Sequence, residues 1–168
     1  MGGVTPIHLA AYFGLKETIE KMMKRYHTPI VRTKQHHLAP IHFAAATGHL
    51  EIVKYLAGLT NNPMALDEQG CTPIHHAAVW GHLEIVKFLA DFTDTPNAKA
   101  NYGVTPIHYA ARGGHLAIVK FLASLTENPN SPNNDGQTAS SWAKEQNHFE
   151  IAKYLEHSGS PFLHHFYR

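Results

Sequence analysis

The chain has 168 residues, enough for one domain with a substantial core, and its 43% apolar content excludes wholesale disorder. Fourteen Lys and Arg against thirteen Asp and Glu leave a net charge of +1, which excludes a general attraction to nucleic acid or membrane. Cys71 is the only cysteine, so an intramolecular disulfide is excluded. There is also no secretory h-region and no apolar run near the ~18 residues of a membrane span, so the expected location is intracellular, cytoplasmic or nuclear.

The chain opens MGGVTP. Glycine stands second, as myristoylation requires, but Pro6 stands where Ser or Thr is needed, and that lipid signal fails. The start lies two residues before a turn glycine, Gly3, with no polar helix ahead of it. This reads either as a fragment of a longer protein or as a first unit covered by something else. TPIHLAAYFG (5–14) predicts a short helix ended by Gly14, and GLKETIEK (14–21) begins a second. Lys16, Lys21, Lys24, Arg25, Arg32 and Lys34 cluster here against Glu17 and Glu20. The cluster reads as a solvated helix face and basic loop rather than a phosphate-binding patch.

Further along, one passage recurs: LAPIHFAAATGHLEIVKYLA (38–57), GCTPIHHAAVWGHLEIVKFLA (70–90) and GVTPIHYAARGGHLAIVKFLA (103–123). Thr72, Thr105 and Thr138 are 33 residues apart, Ala39 lies 33 before Thr72, and Thr5 lies 34 before Ala39. The same register aligns Gly48, Gly81, Gly114 and Asn147, and Leu56, Leu89, Leu122 and Leu155. Five units follow, at about 1–33, 34–66, 67–99, 100–132 and 133–157, with one extra residue between Pro29 and Pro40. In each unit a threonine such as Thr72 is an N-cap whose hydroxyl can satisfy an orphan helix N–H, and Pro73 suits the first helical position. His75 falls where a side chain can reach back to the cap. Gly81 stops the first helix, and Leu83, Ile85, Val86 and Leu89 recur at helical spacing in a second, antiparallel one. LTNNP (59–63) and TDTPN (93–97) break the second helices, and DEQG (67–70) and ANYG (100–103) make tight turns into the next unit. Two helices this short cannot bury their apolar faces alone, but stacked on a neighbour they can.

The motif T-P-I-H-x-A-A-x-x-G-H-L-E-I-V-K at this period resembles the ankyrin repeat, over nearly the whole chain. The resemblance implies an all-α ankyrin-repeat solenoid of about five stacked helix-turn-helix units with β-turn/hairpin fingers, over residues 1–157. Unit two departs at Ala39 and at His37, which replaces the turn glycine, and unit one replaces GHLEIVK by GLKETIEK. Unit five carries Ala139, Ser140 and Ser141 in place of PIH, with Lys144 and Asn147 for Ala and Gly, the added polarity that a terminal unit needs. In the tail, 158–168, Phe162, Leu163, Phe166 and Tyr167 are expected to pack over the exposed end of unit five.

Eight of the fifteen histidines belong to the repeat: His8, His42, His75 and His108 after Pro-Ile, and His49, His82, His115 and His148 after Gly or Asn. Residues placed once per unit cannot converge on one ion, so these read as hydrogen-bonding groups and no metal or cofactor is expected. Cys71, with His75 and His76 nearby, is nominally a nucleophile and base, but it occupies a variable position after a turn and reads as an ordinary thiol. No phosphate loop is present, and the chain is expected not to be an enzyme.

Function is then expected in positions that packing leaves free. By the resemblance, finger tips and first-helix faces form a concave surface. By register the fingers carry Gln35, His36 and Leu38, then Glu68, Gln69 and Cys71, then Asn101, Tyr102 and Val104, then Asn134, Asp135 and Gln137. The helix ends add Tyr12, Phe13, Thr47, Val79, Trp80 and Arg112. Aromatic residues and Arg are enriched at interface hot spots. The expected function is a protein-binding module, monomeric, taking a protein or peptide partner rather than nucleic acid, with Trp80 and Tyr102 as anchors and Arg112 receiving a carboxylate. The alternatives are a targeting piece of a larger signalling protein or, as the resemblance implies, a substrate of an asparaginyl hydroxylase. Asn97 and Asn130, eight residues after Leu89 and Leu122, are the candidate acceptors, each preceded by a proline where a branched apolar residue is usual.

Overall fold

The computed structural model describes residues 3–26, 30–60 and 62–158. Among them are ten short α-helices in five pairs: α1 (Pro6–Tyr12) with α2 (Lys16–Tyr26), α3 (Pro40–Ala46) with α4 (Leu50–Leu59), α5 (Pro73–Trp80) with α6 (Leu83–Ala90), α7 (Pro106–Arg112) with α8 (Leu116–Ala123), and α9 (Ala139–Glu145) with α10 (Phe149–Ser158). Each first helix packs on the first helix of the next pair, and α4, α6, α8 and α10 stack in the same order. One hydrophobic cluster runs the length of the stack, through Ile7, Ile41, Ile74 and Ile107, the alanine pairs beside them, and Val53, Val86 and Val119. The alanines let first helices approach closely, and each fully buried Ile, Val or Leu contributes about 1.5–3 kcal/mol. Of the tail, only Ser158 is described, and the expectation for Phe162, Leu163, Phe166 and Tyr167 lies outside the described residues.

The expected hairpin fingers do not form. No β-strand or hairpin occurs among the described residues, and the connectors are turns. Two of these turns contain an Asx side chain that takes the amide a hairpin would need. Asp67 N–H donates to the Cys71 carbonyl (3.0 Å), but Cys71 N–H returns to the Asp67 carboxylate Oδ1 (2.8 Å), as does Gln69 N–H (2.9 Å). Asn133 Oδ1 captures the N–H groups of Asp135 and Gln137 in the same way (3.0 and 2.9 Å). A side chain thus replaces the backbone acceptor, and no ladder propagates. Thr33 Oγ1 does the same for Leu38 N–H (3.0 Å), in a turn that spans one residue more than the others. That is where the extra residue of the first spacing sits. Neighbouring turns are joined by single backbone bonds, from Glu68 to His36, Asn101 to Gln69 and Asn134 to Tyr102 (2.9, 2.9 and 2.8 Å).

The repeated histidines hold the units together. Thr72 N–H donates to His75 Nδ1 (3.0 Å), and the Thr72 hydroxyl also turns to Nδ1 (2.9 Å) rather than capping a helix amide as the sequence suggested. His8 and His108 are bonded alike to Thr5 and Thr105, and His42 accepts from Ala39 N–H (2.9 Å). With Nδ1 an acceptor, Nε2 carries the proton and donates to a carbonyl further along: His8 to Leu38 (3.0 Å), His42 to Ala65 (2.9 Å) and His108 to Gln137 (3.2 Å). His75 Nε2 is buried without a hydrogen-bond partner. The second histidine row points the other way. His49, His82 and His115 donate from Nε2 to the carbonyls of Tyr12, Ala46 and Val79 in the unit before (3.1, 3.1 and 3.0 Å).

The glycine before each of these histidines serves the next unit as well as its own. Gly81 has φ 84°, in the left-handed region, and a Cβ there would lie 2.7 Å from Cε1 of His115. Asn147 takes the equivalent left-handed conformation in the last unit (φ 63°), as Asn tolerates. Gly81→Ala is therefore expected to destabilise the protein by about 2 kcal/mol. Part of that loss should return in the double variant with His115→Ala, measured as coupling in a urea double-mutant cycle.

Burial pushes His42 and His75 down to about 4 and lowers His8 and His108. Because the folded-state values lie below 6.5, the native state favours the neutral rings. Their stabilisation is complete above pH 6.5 and is lost as pH falls toward 4. At pH 5 the loss is roughly 2 kcal/mol for each of His42 and His75. The urea midpoint is expected to fall between pH 7 and pH 5, above the range where ordinary carboxylates titrate. That fall should flatten in the His42→Gln/His75→Gln variant, whose side chains can still accept from the cap.

Candidate protein-binding surface

The turns and first-helix ends carry the predicted surface residues at different depths. Tyr102, Trp80, Phe13 and Tyr12 are exposed (73%, 65%, 63% and 48%), and Gln35, His36, Glu68, Gln69, Asn101 and Arg112 are exposed with them. Leu38, Thr47 and Val79 are half-buried. Cys71 and Val104 are buried. Tyr102 sits at the apex of its turn with φ 59°, a left-handed conformation without glycine, which holds its ring away from the turn's core. The two preceding turns are linked through exposed side chains, His36 Nδ1 meeting Glu68 Oε2 at 3.1 Å.

A second row of side chains lies on the first helices, at the residue after the repeat histidine in units one to four and after Ser141 in unit five: Leu9, Phe43, His76, Tyr109 and Trp142. This row was not singled out in the sequence, although it varies in a motif whose other letters barely change. Each ring packs edge-on against the histidine of the unit before: Phe43 on His8, His76 on His42, Tyr109 on His75 and Trp142 on His108, with centroids 5.4, 5.2, 6.0 and 5.4 Å apart. Tyr109 and Trp142 also meet edge-on at 5.9 Å, and the Arg112 guanidinium lies 5.9 Å from the Trp142 ring centre. Tyr12 joins the other end of the row through Phe43 at 6.5 Å. Between these aromatic stretches, His76 Nε2 meets the Asp67 carboxylate at 2.9 Å. Burial would push the Asp67 carboxyl up, but His76 and the amides of Cys71 and Gln69 outweigh it and hold it below its usual value.

Residues 7–100 and 92–162 match the family model described as ankyrin repeats (3 copies). The chain belongs to the ankyrin-repeat family. No curated protein matches it. As an ankyrin-repeat protein it has a stacked-helix fold, consistent in general with a protein–protein interaction scaffold. Among the described residues no group of three or more His, Cys, Asp or Glu could hold a metal ion. No described helix is long and apolar enough to cross a membrane.

Cys71 has none of the features of an activated thiol. Burial and then the Asp67 charge push it up to about 11, while the Tyr109 hydroxyl, 4.0 Å away, offsets only part of that. Tyr109 is itself raised to about 12 by burial and by Cys71. Asn97 and Asn130 staple units together. Asn97 Oδ1 accepts from Ile107 N–H (3.2 Å), and Asn130 Oδ1 and Nδ2 engage Ser140 N–H and Oγ (2.9 and 3.0 Å). The N–H groups of Ile107 and Ser140 are both in a first helical turn, so each Asn supplies a cap from the preceding unit. Native Cys71 is expected to react with a thiol reagent at pH 8 on the order of 100-fold more slowly than the urea-unfolded chain. Equal rates would mean that the thiol is exposed.

Proposed function

We propose that this ankyrin-repeat protein binds a protein or peptide along the groove formed by its turns and first helices, across units two to four. The reading rests on one observation above all: Trp80 and Tyr102 are large aromatic side chains left 65% and 73% exposed on a stack with a continuous buried core. Exposed rings of this size on a rigid support are what interface anchors require. Phe43, Tyr109 and Trp142 supply a half-buried apolar floor beside them. Arg112 is exposed at one edge of that floor, its guanidinium steered by the Trp142 ring, and is suited to receive a carboxylate from the partner. Cys71 and Val104 support the turns from beneath and are left out of the contact surface.

Rigidity carries the mechanism. Turns bonded to one another and helix starts bonded across units are ordered before the partner arrives, so little conformational entropy is lost on binding. The test is affinity capture or proximity labelling with wild type against the Trp80→Ala/Tyr102→Ala variant. The variant is expected to keep its urea midpoint and to lose the partners. An unchanged set of partners from a folded variant would sink the groove assignment. Arg112→Ala is expected to weaken capture about 10-fold, as loss of a charge-assisted hydrogen bond does.

A further inference from the structure

Two side chains at the middle of the stack do more than the fold asks of them. Asp67 ties its turn by accepting the amides of Gln69 and Cys71 at Oδ1, and Asn133 makes the same two bonds in unit five without a charge. His76 packs edge-on against His42, a contact that Phe43 and Trp142 make equally well on His8 and His108. The turn therefore does not require the carboxylate charge, and the stack does not require the imidazole. Together they form a pair, His76 Nε2 lying 2.9 Å from Asp67 Oδ2, with the Asp67 side chain 6% exposed and that of His76 27% exposed. With Nε2–H given to Asp67, the neutral ring keeps Nδ1 as an acceptor. That atom makes no hydrogen bond among the described residues and is not fully buried. It is an open acceptor, backed by a buried negative charge, in a row where Phe43 and Tyr109 stand on either side.

Charge is divided between the two central units. Residues 67–80, the turn and first helix of unit three, include Asp67 and Glu68 and no Lys or Arg. Residues 100–113 of unit four include Arg112 and no Asp or Glu. Glu68 is exposed with His36 against it at 3.1 Å, and Arg112 is exposed beside the Trp142 ring. Trp80 and Tyr102 lie in the same two units. A partner that matches both halves sets a cation over unit three and a carboxylate over unit four. Packed helices lie about 8–10 Å apart, and Arg112 is three residues further along its helix than Tyr109, the counterpart of His76. The two subsites are thus roughly 10 Å apart, the reach of about three residues of extended chain.

We propose that the groove takes an extended peptide segment with a lysine or arginine and, about three residues away, an aspartate or glutamate, the cation on His76 Nδ1 and the carboxylate on Arg112. This rests on the groove reading above and adds the partner's charge pattern to it. His76 makes the selective contact, and Asp67 is a positioning residue that holds the ring and supplies the negative charge behind it.

The probe is a display library of random peptides of about ten residues, long enough to cross the central units, selected on the full chain at pH 8 and read by sequencing. Wild type is expected to enrich peptides with a basic and an acidic residue about three positions apart, roughly 10-fold over the starting library. Asp67→Asn keeps an acceptor for the turn amides, and His76→Phe keeps a ring on His42. Each should lose the basic preference while retaining the acidic one, with its urea midpoint unchanged. Arg112→Ala should do the reverse, whereas loss of stability would weaken both preferences together. Three outcomes would overturn the proposal while leaving the groove standing: enrichment that needs Trp80 and Tyr102 but shows no basic preference, an acidic preference in its place, or a basic preference that survives both unit-three variants. Equal enrichment on Trp80→Ala/Tyr102→Ala would overturn the groove and this pattern with it. Failure to enrich any peptide would overturn the pattern alone, since the groove is tested separately by capture of whole partners.

Discussion

An imidazole that accepts from a helix-start amide at Nδ1 and donates to a carbonyl at Nε2 must be neutral, and this bridge recurs along the chain. His8 and His108 tie the start of their own helix to the turn of the unit that follows. His49, His82 and His115 tie the start of the second helix to a carbonyl of the unit behind. Every inner unit is thereby held from both sides by rings that water does not reach freely. At His8 and His108 burial favours the uncharged form that an accepting Nδ1 requires, so the electrostatics and the hydrogen bonding agree there. The apolar core supplies most of the stabilisation, but isoleucines and alanines do not by themselves specify how one pair sits on the next. The imidazoles and the left-handed glycines under them set that spacing.

A stack coupled only between neighbours separates architecture from recognition. Positions inside the bridges tolerate little change, because a Cβ on Gly48 or Gly81 would meet the next histidine at 2.6 or 2.7 Å. Positions on turn apices and at the ends of first helices carry no such constraint and differ from unit to unit. The exposed Trp80, Tyr102 and Phe13 belong to this second class. Some side chains belong to both. Tyr109 packs on His75 of one unit and on Trp142 of another while remaining half-buried, so the floor of the proposed groove is also part of the inter-unit packing.

Much of this was legible in the residues. Period and helix order follow from the spacing of Thr-Pro and of Gly-His, since proline, glycine and a polar cap each fix backbone geometry locally. Even the exceptions kept their conformation: His37 and Asn147 adopt positive φ where the pattern has glycine. The hairpin fingers were not correctly legible. Whether an amide at a turn meets a backbone carbonyl or the side chain of Asp67 or Asn133 depends on a rotamer that the repeat pattern does not encode. The depth of Cys71 was hidden for a related reason, since it is covered by Tyr109, 38 residues further along. The variable ring after each histidine was visible as a variable letter, but its edge-on contact with the previous histidine required the stacking geometry.

Each unit is stabilised by its immediate neighbours alone, and excision of an interior unit puts this to the test. Deleting residues 67–99 joins Leu66 to Ala100 in register and places α3 and α4 against α7 and α8. Urea unfolding of that variant, followed by circular dichroism, is expected to remain a single cooperative transition with unchanged helicity per residue. Its midpoint should be lower and its m-value reduced by roughly a fifth, in proportion to the surface removed. Loss of cooperativity or of helical signal would contradict the account, because it would mean that unit three is held by contacts beyond its neighbours.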